Sequence, residues 1–335
     1  MKTILTGVKP TGVPHIGNYF GAIKPAIDST NELRGAKSYL FIADYHALTT
    51  VKSAAEMNQY VREIACTWLA CGLDIKKTVF YRQSDVPQIF ELSTILTNVT
   101  PKGLMNRAHA YKAIVQAAID RGVDPDVDVN MGLFTYPILM SADILAFDTD
   151  LVPVGRDQQQ HVEITVDIAK AFNAVYGGSD DKKILTIPQP KIEKSVATIP
   201  GLDGRKMSKS YGNQIPLFAN SNDLKKCIMR ITTDSTAPTD PKPTDHPLFE
   251  MYKLFANPSE IEFMTNKFAN GVGWGDVKTE LFRVADRTIT PMRERFEYYM
   301  NNYELVEKIL ADGAKSARKK ATETLSRVRL AIGAL

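Results

Sequence analysis

The sequence predicts an α/β protein: a doubly wound parallel sheet followed by a C-terminal all-helical module. Two observations carry this. Short apolar, strand-like runs alternate with longer helical patterns through the first two thirds of the chain, the pattern of a parallel sheet covered by helices. Beyond about Gly212 the strand signals stop and only helical periodicity follows. The chain therefore divides into a catalytic-type α/β part, residues 1–215, and a helical part, residues 216–335.

Taken in order, strands are predicted over residues 4–8, 38–42, 78–82, 151–154 and 184–187. Helices are predicted between them over 54–73, 88–98 and 157–176, and an apolar helix over 133–145 carries Pro137 near its start. The second part reads as helices over 223–230, 246–255, 259–268, 276–301, 303–311 and 314–332. The proline-rich stretch 236–243 is a loop within it.

Bulk properties narrow the function classes. A chain of 335 residues, 44% hydrophobic, has room for a sizeable core and one to three domains. A net charge of +3 does not announce a nucleic-acid binder, because phosphate recognition depends on local clusters of Lys and Arg. Three cysteines, Cys66, Cys71 and Cys227, have neither paired-ligand spacing nor a histidine cluster. A disulfide framework or metal site is not expected, and Cys66 and Cys71, in the apolar stretch 64–71, read as small hydrophobes. The N-terminus reaches Gly7 and Pro10 too early for a secretory signal, and no apolar run approaches the roughly 20 residues that span a bilayer. The expectation is a cytoplasmic protein without membrane contact.

The stretch from Pro10 to Tyr19 follows the first strand and opens a helix. It places a glycine-containing turn and a helix N-terminus at the C-terminal edge of the sheet, where phosphate is favoured. Gly17 lets a nucleotide lie close to the backbone, and His15 and Asn18 can donate to phosphate oxygens. His15 serves equally well as a simple cap of the turn. About 190 residues later comes Lys206-Met207-Ser208-Lys209-Ser210, just after two glycines, Gly201 and Gly204, that suit a mobile loop. Its two lysines can reach an oligophosphate and offset the charge that builds as pyrophosphate leaves.

Together, His15-Ile16-Gly17-Asn18 and Lys206-Met207-Ser208-Lys209-Ser210 resemble the HIGH and KMSKS signatures of class I aminoacyl-tRNA synthetases. Asparagine in the last place of the first motif is a form seen in the tryptophan and tyrosine enzymes. The block from Tyr136 through Asp143 to His161 resembles the tryptophan enzymes and departs from the tyrosine ones. Asp44-Tyr45-His46-Ala47, the segment from Gln83 to Pro87 and the stretch from Asp312 to Arg318 are similar to that family too.

Asp143 lies between apolar neighbours, where a carboxylate is costly unless it has a partner. An indole N–H, a donor with no acceptor capacity, is a suitable one. A phenol would serve as well, and a backbone amide or an arginine is the common structural alternative.

The resemblance implies a Rossmann-like fold, an ATP-dependent enzyme that adenylates L-tryptophan and transfers it to tRNA, Mg²⁺ with the ATP, a homodimer and a helical module that reads the anticodon. It implies Lys206, Lys209, His15, Asn18 and Lys112 as catalytic residues. Lys9, Thr11, Gly17, Asn18, Gly155 and Asp157 would meet ATP, as would Lys206, Met207, Ser208, Lys209 and Ser210. Tyr136 and Gln158 would hold the substrate α-amino group, His46 would lie near the amino-acid end, and Met140 with Gly7 would line the indole pocket, beside Asp143. No protein-held metal is expected.

Three positions depart from the usual family pattern: Lys9 for glutamine, Leu5 for phenylalanine, and Arg156 for an acidic residue. For tRNA, the last helix offers Lys315, Arg318, Lys319, Lys320, Arg327 and Arg329 as phosphate contacts. A tyrosyl-tRNA synthetase, a nucleotidyltransferase with an HxGH-type turn, and a paralogue that has lost synthesis are the competing readings.

Overall fold

Five parallel strands run in the order β3-β2-β1-β4-β5. The structure is a computed structural model and describes residues 2–32, 35–155, 158–177, 183–192 and 199–334. In chain order the first elements are β1 (Thr3–Val8), α1 (Ile16–Asn18), α2 (Lys24–Glu32), β2 (Lys37–Ile42), α3 (Asp44–Ala47) and α4 (Ala54–Ala70). Next come β3 (Thr78–Arg82), α5 (Gln88–Thr97), α6 (Lys102–Met105), α7 (His109–Asp120) and α8 (Met131–Leu145). Then β4 (Leu151–Val154), α9 (Gln159–Tyr176) and β5 (Gln189–Ile192) complete the sheet. The helical part holds α10 (Ser221–Met229), α11 (Pro247–Phe255), α12 (Pro258–Asn270), α13 (Trp274–Asn301) and α14 (Tyr303–Ile332).

Alternation along the strands splits the core into two layers. Leu40, Ile42 and Phe80 face one apolar cluster, and Leu5, Tyr39, Phe41 and Tyr81 face the other. The first cluster runs through Ile64 and Trp68 of α4 into Phe249, Tyr252, Leu281 and Ile289 of the C-terminal helices. The second gathers α5, α8 and α9 with a stripe of α14: Ala314, Ala317, Ala321, Leu325 and Val328. Strand order reverses between β1 and β4, so the crevice beyond their carboxyl ends is the switch point where such sheets bind ligands.

Three expectations need correction. The run 184–187 is not a strand. The Asn173 side chain of α9 accepts from the backbone amides of Ile184 and Leu185 at 3.0 and 2.9 Å and donates to the Leu185 carbonyl at 2.8 Å. Those groups are satisfied without a ladder, and pairing with β4 starts only at Gln189. There Pro190 is tolerated, because β5 is an edge strand.

The last two predicted helices are one helix, α14, unbroken at Gly313. A Cβ at Gly313 would stand 1.8 Å from the Phe80 carbonyl oxygen, so this glycine serves close packing on β3 rather than helix termination. Finally, α8 starts at Met131, capped by Asn130 Oδ1 accepting from the Leu133 amide at 2.9 Å, which leaves Pro137 inside the helix rather than near its start. Met131 and Gly132 lie outside the apolar run, so the run gave no sign of this first turn.

Candidate active site

The two motifs meet in space. At the end of β1 the chain turns through Pro10 and Gly12 into α1, whose cap is His15. Its Nδ1 accepts from the Asn18 amide at 3.2 Å, and Asn18 Oδ1 accepts from the His15 amide at 3.1 Å. An imidazole that accepts at Nδ1 is neutral and carries its proton on Nε2. Burial, and then the Lys209 charge, push the His15 pKa below its ordinary value, in agreement. The same pairing leaves the Asn18 amide nitrogen as a donor.

The second motif begins at the Pro200–Lys206 bridge, which closes a hairpin, and runs on from it. Asn213 holds it. Its Nδ2 donates to Asp203 Oδ1 at 2.7 Å and to the Lys206 carbonyl at 3.1 Å, and its Oδ1 accepts from the Ser208 amide at 2.9 Å. Met207 is buried, and its Sδ lies 3.3 Å from the Gly17 amide nitrogen. Gly17 is needed there, since a Cβ would lie 2.9 Å from His15 Nδ1 and 3.3 Å from the Met207 Cβ. Packing between the motifs is thus a reason for glycine at this position in addition to the expected approach of a nucleotide. Lys209 Nζ donates to the Thr11 carbonyl at 2.7 Å, which brings its charge against the first motif.

Two cavities open at the switch point. One, of about 440 Å³, is lined by Lys9, Thr11, Gly12, Asn18, Gly155 and the apolar side chains of Ile64 and Trp68. The other, of about 400 Å³, is lined mainly by apolar groups together with His46, Tyr136, Met140, Asp143 and His161. Gly7, Lys9, Pro153, Val154 and Gln158 line both, so the cavities share a wall at the ends of β1 and β4. At Gly7 a Cβ would come within 2.7 Å of the Phe41 ring, which would have to move within the aromatic wall.

The aromatic-sized cavity is built around a buried carboxylate. Asp143 is fully buried. Gln83 Nε2 lies 2.9 Å from each of its oxygens, and His46 Nε2 lies 2.8 Å from Oδ2. Burial raises the Asp143 pKa, opposed by the His46 and Gln83 hydrogen bonds. Because a carboxylate has about four acceptor positions, these contacts leave room for one more donor. The segments that carry His46 and Gln83 are clipped together by Asp44, whose Oδ1 accepts from the Tyr45 and Ser84 amides at 3.0 and 3.1 Å at the ends of β2 and β3. Across the cavity, Tyr136 Oη lies 2.6 Å from His161 Nε2, and burial raises the tyrosine pKa.

Of the predicted residues, Gly7, Lys9, Thr11, Asn18, His46, Tyr136, Met140, Asp143, Gly155 and Gln158 line one or both cavities. His15, Gly17 and Met207 are not among the lining residues and shape the turn beside the cavity lined by Asn18. Lys206, Ser208, Lys209, Ser210 and Lys112 line neither cavity; Lys206, Lys209, Ser210 and Lys112 are exposed. Asp157 and Arg156 lie outside the described residues. Sequence reasoning passed over Gln83, His161, Asn213 and Thr49. For Gln83 a signal existed, as it directly follows the carboxyl end of β3.

Four of the six cations of the last helix have partners within the protein. Arg318 donates to the Asp85 carbonyl, Lys320 and Arg327 pair with Asp148, and Arg329 pairs with Glu91. These cations fasten α14 to the sheet domain. Lys315 and Lys319 remain exposed and form no ion pair among the described residues.

A histidine-capped turn locked through Met207 to a lysine-bearing hairpin, beside a crevice with two joined cavities, is the pairing of class I aminoacyl-tRNA synthetases. The family model for class I tRNA synthetases (W and Y) matches residues 1–290. The chain is 48% identical over 334 residues to the tryptophan–tRNA ligase of Neisseria meningitidis, covering 99% of this chain and 98% of that one. It is 48% identical to the Pseudomonas aeruginosa tryptophan–tRNA ligase, covering 98% and 73%. The crystal structure of tryptophanyl-tRNA synthetase from Campylobacter jejuni, complexed with ADP and tryptophan, superposes with a TM-score of 0.88 at 40% identity over 99% of each chain. This chain belongs to the tryptophan–tRNA ligases, and not to the tyrosine enzymes or the small-molecule nucleotidyltransferases.

Proposed function

We propose that the two joined cavities divide the first half-reaction, tryptophan in the Asp143 cavity and ATP in the Asn18 cavity, with the reacting atoms meeting at their shared wall. The observation that carries this reading is that wall: Gly7, Lys9 and Gln158 border both spaces. A tryptophan indole N–H would donate to the remaining acceptor position of Asp143, with Met140 and Gly7 against the ring. Gln158 and Tyr136 would take the α-amino group.

The carboxylate then attacks the α-phosphorus of ATP, forming the mixed anhydride and expelling pyrophosphate. A carboxylate is ionised at neutral pH, so no general base is required. Catalysis reduces to alignment and to stabilising charge on the departing phosphates. Lys209, bonded to the Thr11 carbonyl beside the ATP cavity, supplies charge for this, and Asn18 Nδ2 and the His15 Nε2–H supply neutral donors. Lys206 joins from the exposed hairpin on a modest shift of that loop. Mg²⁺ enters as the ATP complex. Among the described residues lining the ATP cavity none is a carboxylate, and phosphate oxygens and water would supply most of the ligands of the Mg²⁺.

In the second step a terminal ribose hydroxyl of tRNA attacks the activated carbonyl and AMP leaves. Residues 216–335 act as the anticodon-reading part, and the assembly is a homodimer, both on the strength of the family resemblance. No described helix is long and apolar enough to cross a membrane; work in the cytoplasm likewise rests on the family resemblance.

Pyrophosphate exchange with each of the twenty amino acids, followed by charging of tRNA, tests this reading. Exchange driven by tryptophan alone is expected. Exchange driven equally by tyrosine, or none at all, would overturn it.

A further inference from the structure

We infer that Lys9 is a catalytic residue whose ammonium bridges the two reacting anions, the tryptophan carboxylate and the α-phosphate of ATP. The inference rests on the assignment of the two cavities above. Lys9 is the residue after β1 and borders both spaces. Its Nζ donates to Thr49 Oγ1 at 2.9 Å, and that hydroxyl in turn donates to the His46 carbonyl at 2.8 Å. Thr49 therefore fixes the direction of the cation, since its hydrogen is already committed and only its lone pairs face Lys9.

An ammonium has three donors and no acceptor. One is spent on Thr49, and Lys9 forms no ion pair among the described residues. The other two are available at the seam. Lys9 is half-buried, and burial lowers its pKa from the ordinary value, the cost of keeping a cation there without a carboxylate.

The chemistry at the seam accounts for such a charge. A carboxylate and a triphosphate repel each other as they approach. In the step itself one carboxylate oxygen forms a bond to the α-phosphorus while the bond to the bridging oxygen of pyrophosphate breaks. The electron pair leaves with pyrophosphate, and no proton moves at the attacking oxygen. A cation touching the second carboxylate oxygen and a non-bridging α-phosphate oxygen lowers the repulsion and aligns the attack. It is not the charge that neutralises pyrophosphate, which falls to Lys209. A neutral amide in the same place would supply hydrogen bonds without the charge.

Lys9→Met and Lys9→Gln test this, by single-turnover adenylate formation and by tryptophan binding measured without ATP. Lys9→Met is expected to slow adenylate formation at saturating substrates by about a hundredfold, with Lys9→Gln falling between it and the wild type. Tryptophan binding without ATP should weaken by about tenfold in Lys9→Met, less than the rate falls, and an unchanged circular dichroism spectrum reports that the variants are folded.

A wild-type rate in Lys9→Met would overturn the inference, as would a loss confined to tryptophan affinity. If the wild-type protein itself shows no tryptophan-dependent exchange, the assignment of the cavities fails instead.

Discussion

The two halves of the site solve opposite problems. Around Asp143 most polar groups have partners inside the protein: Gln83 and His46 on the carboxylate, Asp44 behind them, His161 on Tyr136. Around the ATP cavity the cations are left largely uncommitted: Lys209 on a backbone carbonyl, Lys9 on a hydroxyl, Lys206 exposed. Reading one ring against another needs a rigid, satisfied pocket, because a mispaired buried polar group is what rejects the wrong substrate. Stabilising a charge that exists only during reaction needs cations that no resident carboxylate has already neutralised.

The contrast can be broken by variants on each side. The largest expected effect is that of Lys209→Ala, a loss of about 10²–10³-fold in adenylate formation with tryptophan affinity nearly unchanged. Stopped-flow adenylation alongside equilibrium binding measures both, and an equal loss in the two would erase the division. Next, Asp143→Ala should weaken tryptophan binding by about 1–3 kcal/mol. An unchanged tryptophan KM would remove Asp143 from recognition.

A smaller effect is expected at Gln83→Met, which frees the carboxylate on one side: tryptophan affinity should fall by about 0.5–1.5 kcal/mol, with the saturated adenylation rate retained. If the rate falls and affinity holds, Gln83 belongs with the phosphate half.

The smallest is thermal. Burial raises the Asp143 pKa above its unfolded value, so as pH rises through the window above that value the unfolded chain releases a proton the folded one retains, and stability falls. Asp143→Asn removes this ionisation. Its Tm should therefore exceed that of the wild type by about 2 °C at pH 7, with the gap closing toward pH 4. A Tm below the wild type at pH 7 would mean that the His46 and Gln83 contacts outweigh burial.

Legibility differed between the halves for a related reason. The phosphate half is made of contiguous motifs, so Asn18, Lys209 and their setting could be found along the chain. The recognition half draws single residues from the ends of several elements. Asp143 stood out, as a carboxylate in an apolar helix must have a partner. Gln83 and His161 did not, because a glutamine after one strand and a histidine in a polar helix have many ordinary uses.

The sequence by itself determined the parallel sheet and its covering helices, since alternation and helical period are local properties of the chain. It also determined the chemistry, through two motifs whose spacing along the chain is a matter of counting. Only the tertiary structure decided that Gly313 lets α14 lie on Phe80 and that Asn173 draws residues 184–185 away from the sheet. It decided likewise that the cations of the last helix are bound to Asp148 and Glu91. Each of these depends on which groups from distant parts of the chain arrive within a few ångströms, and the order of residues along the chain does not carry that distance.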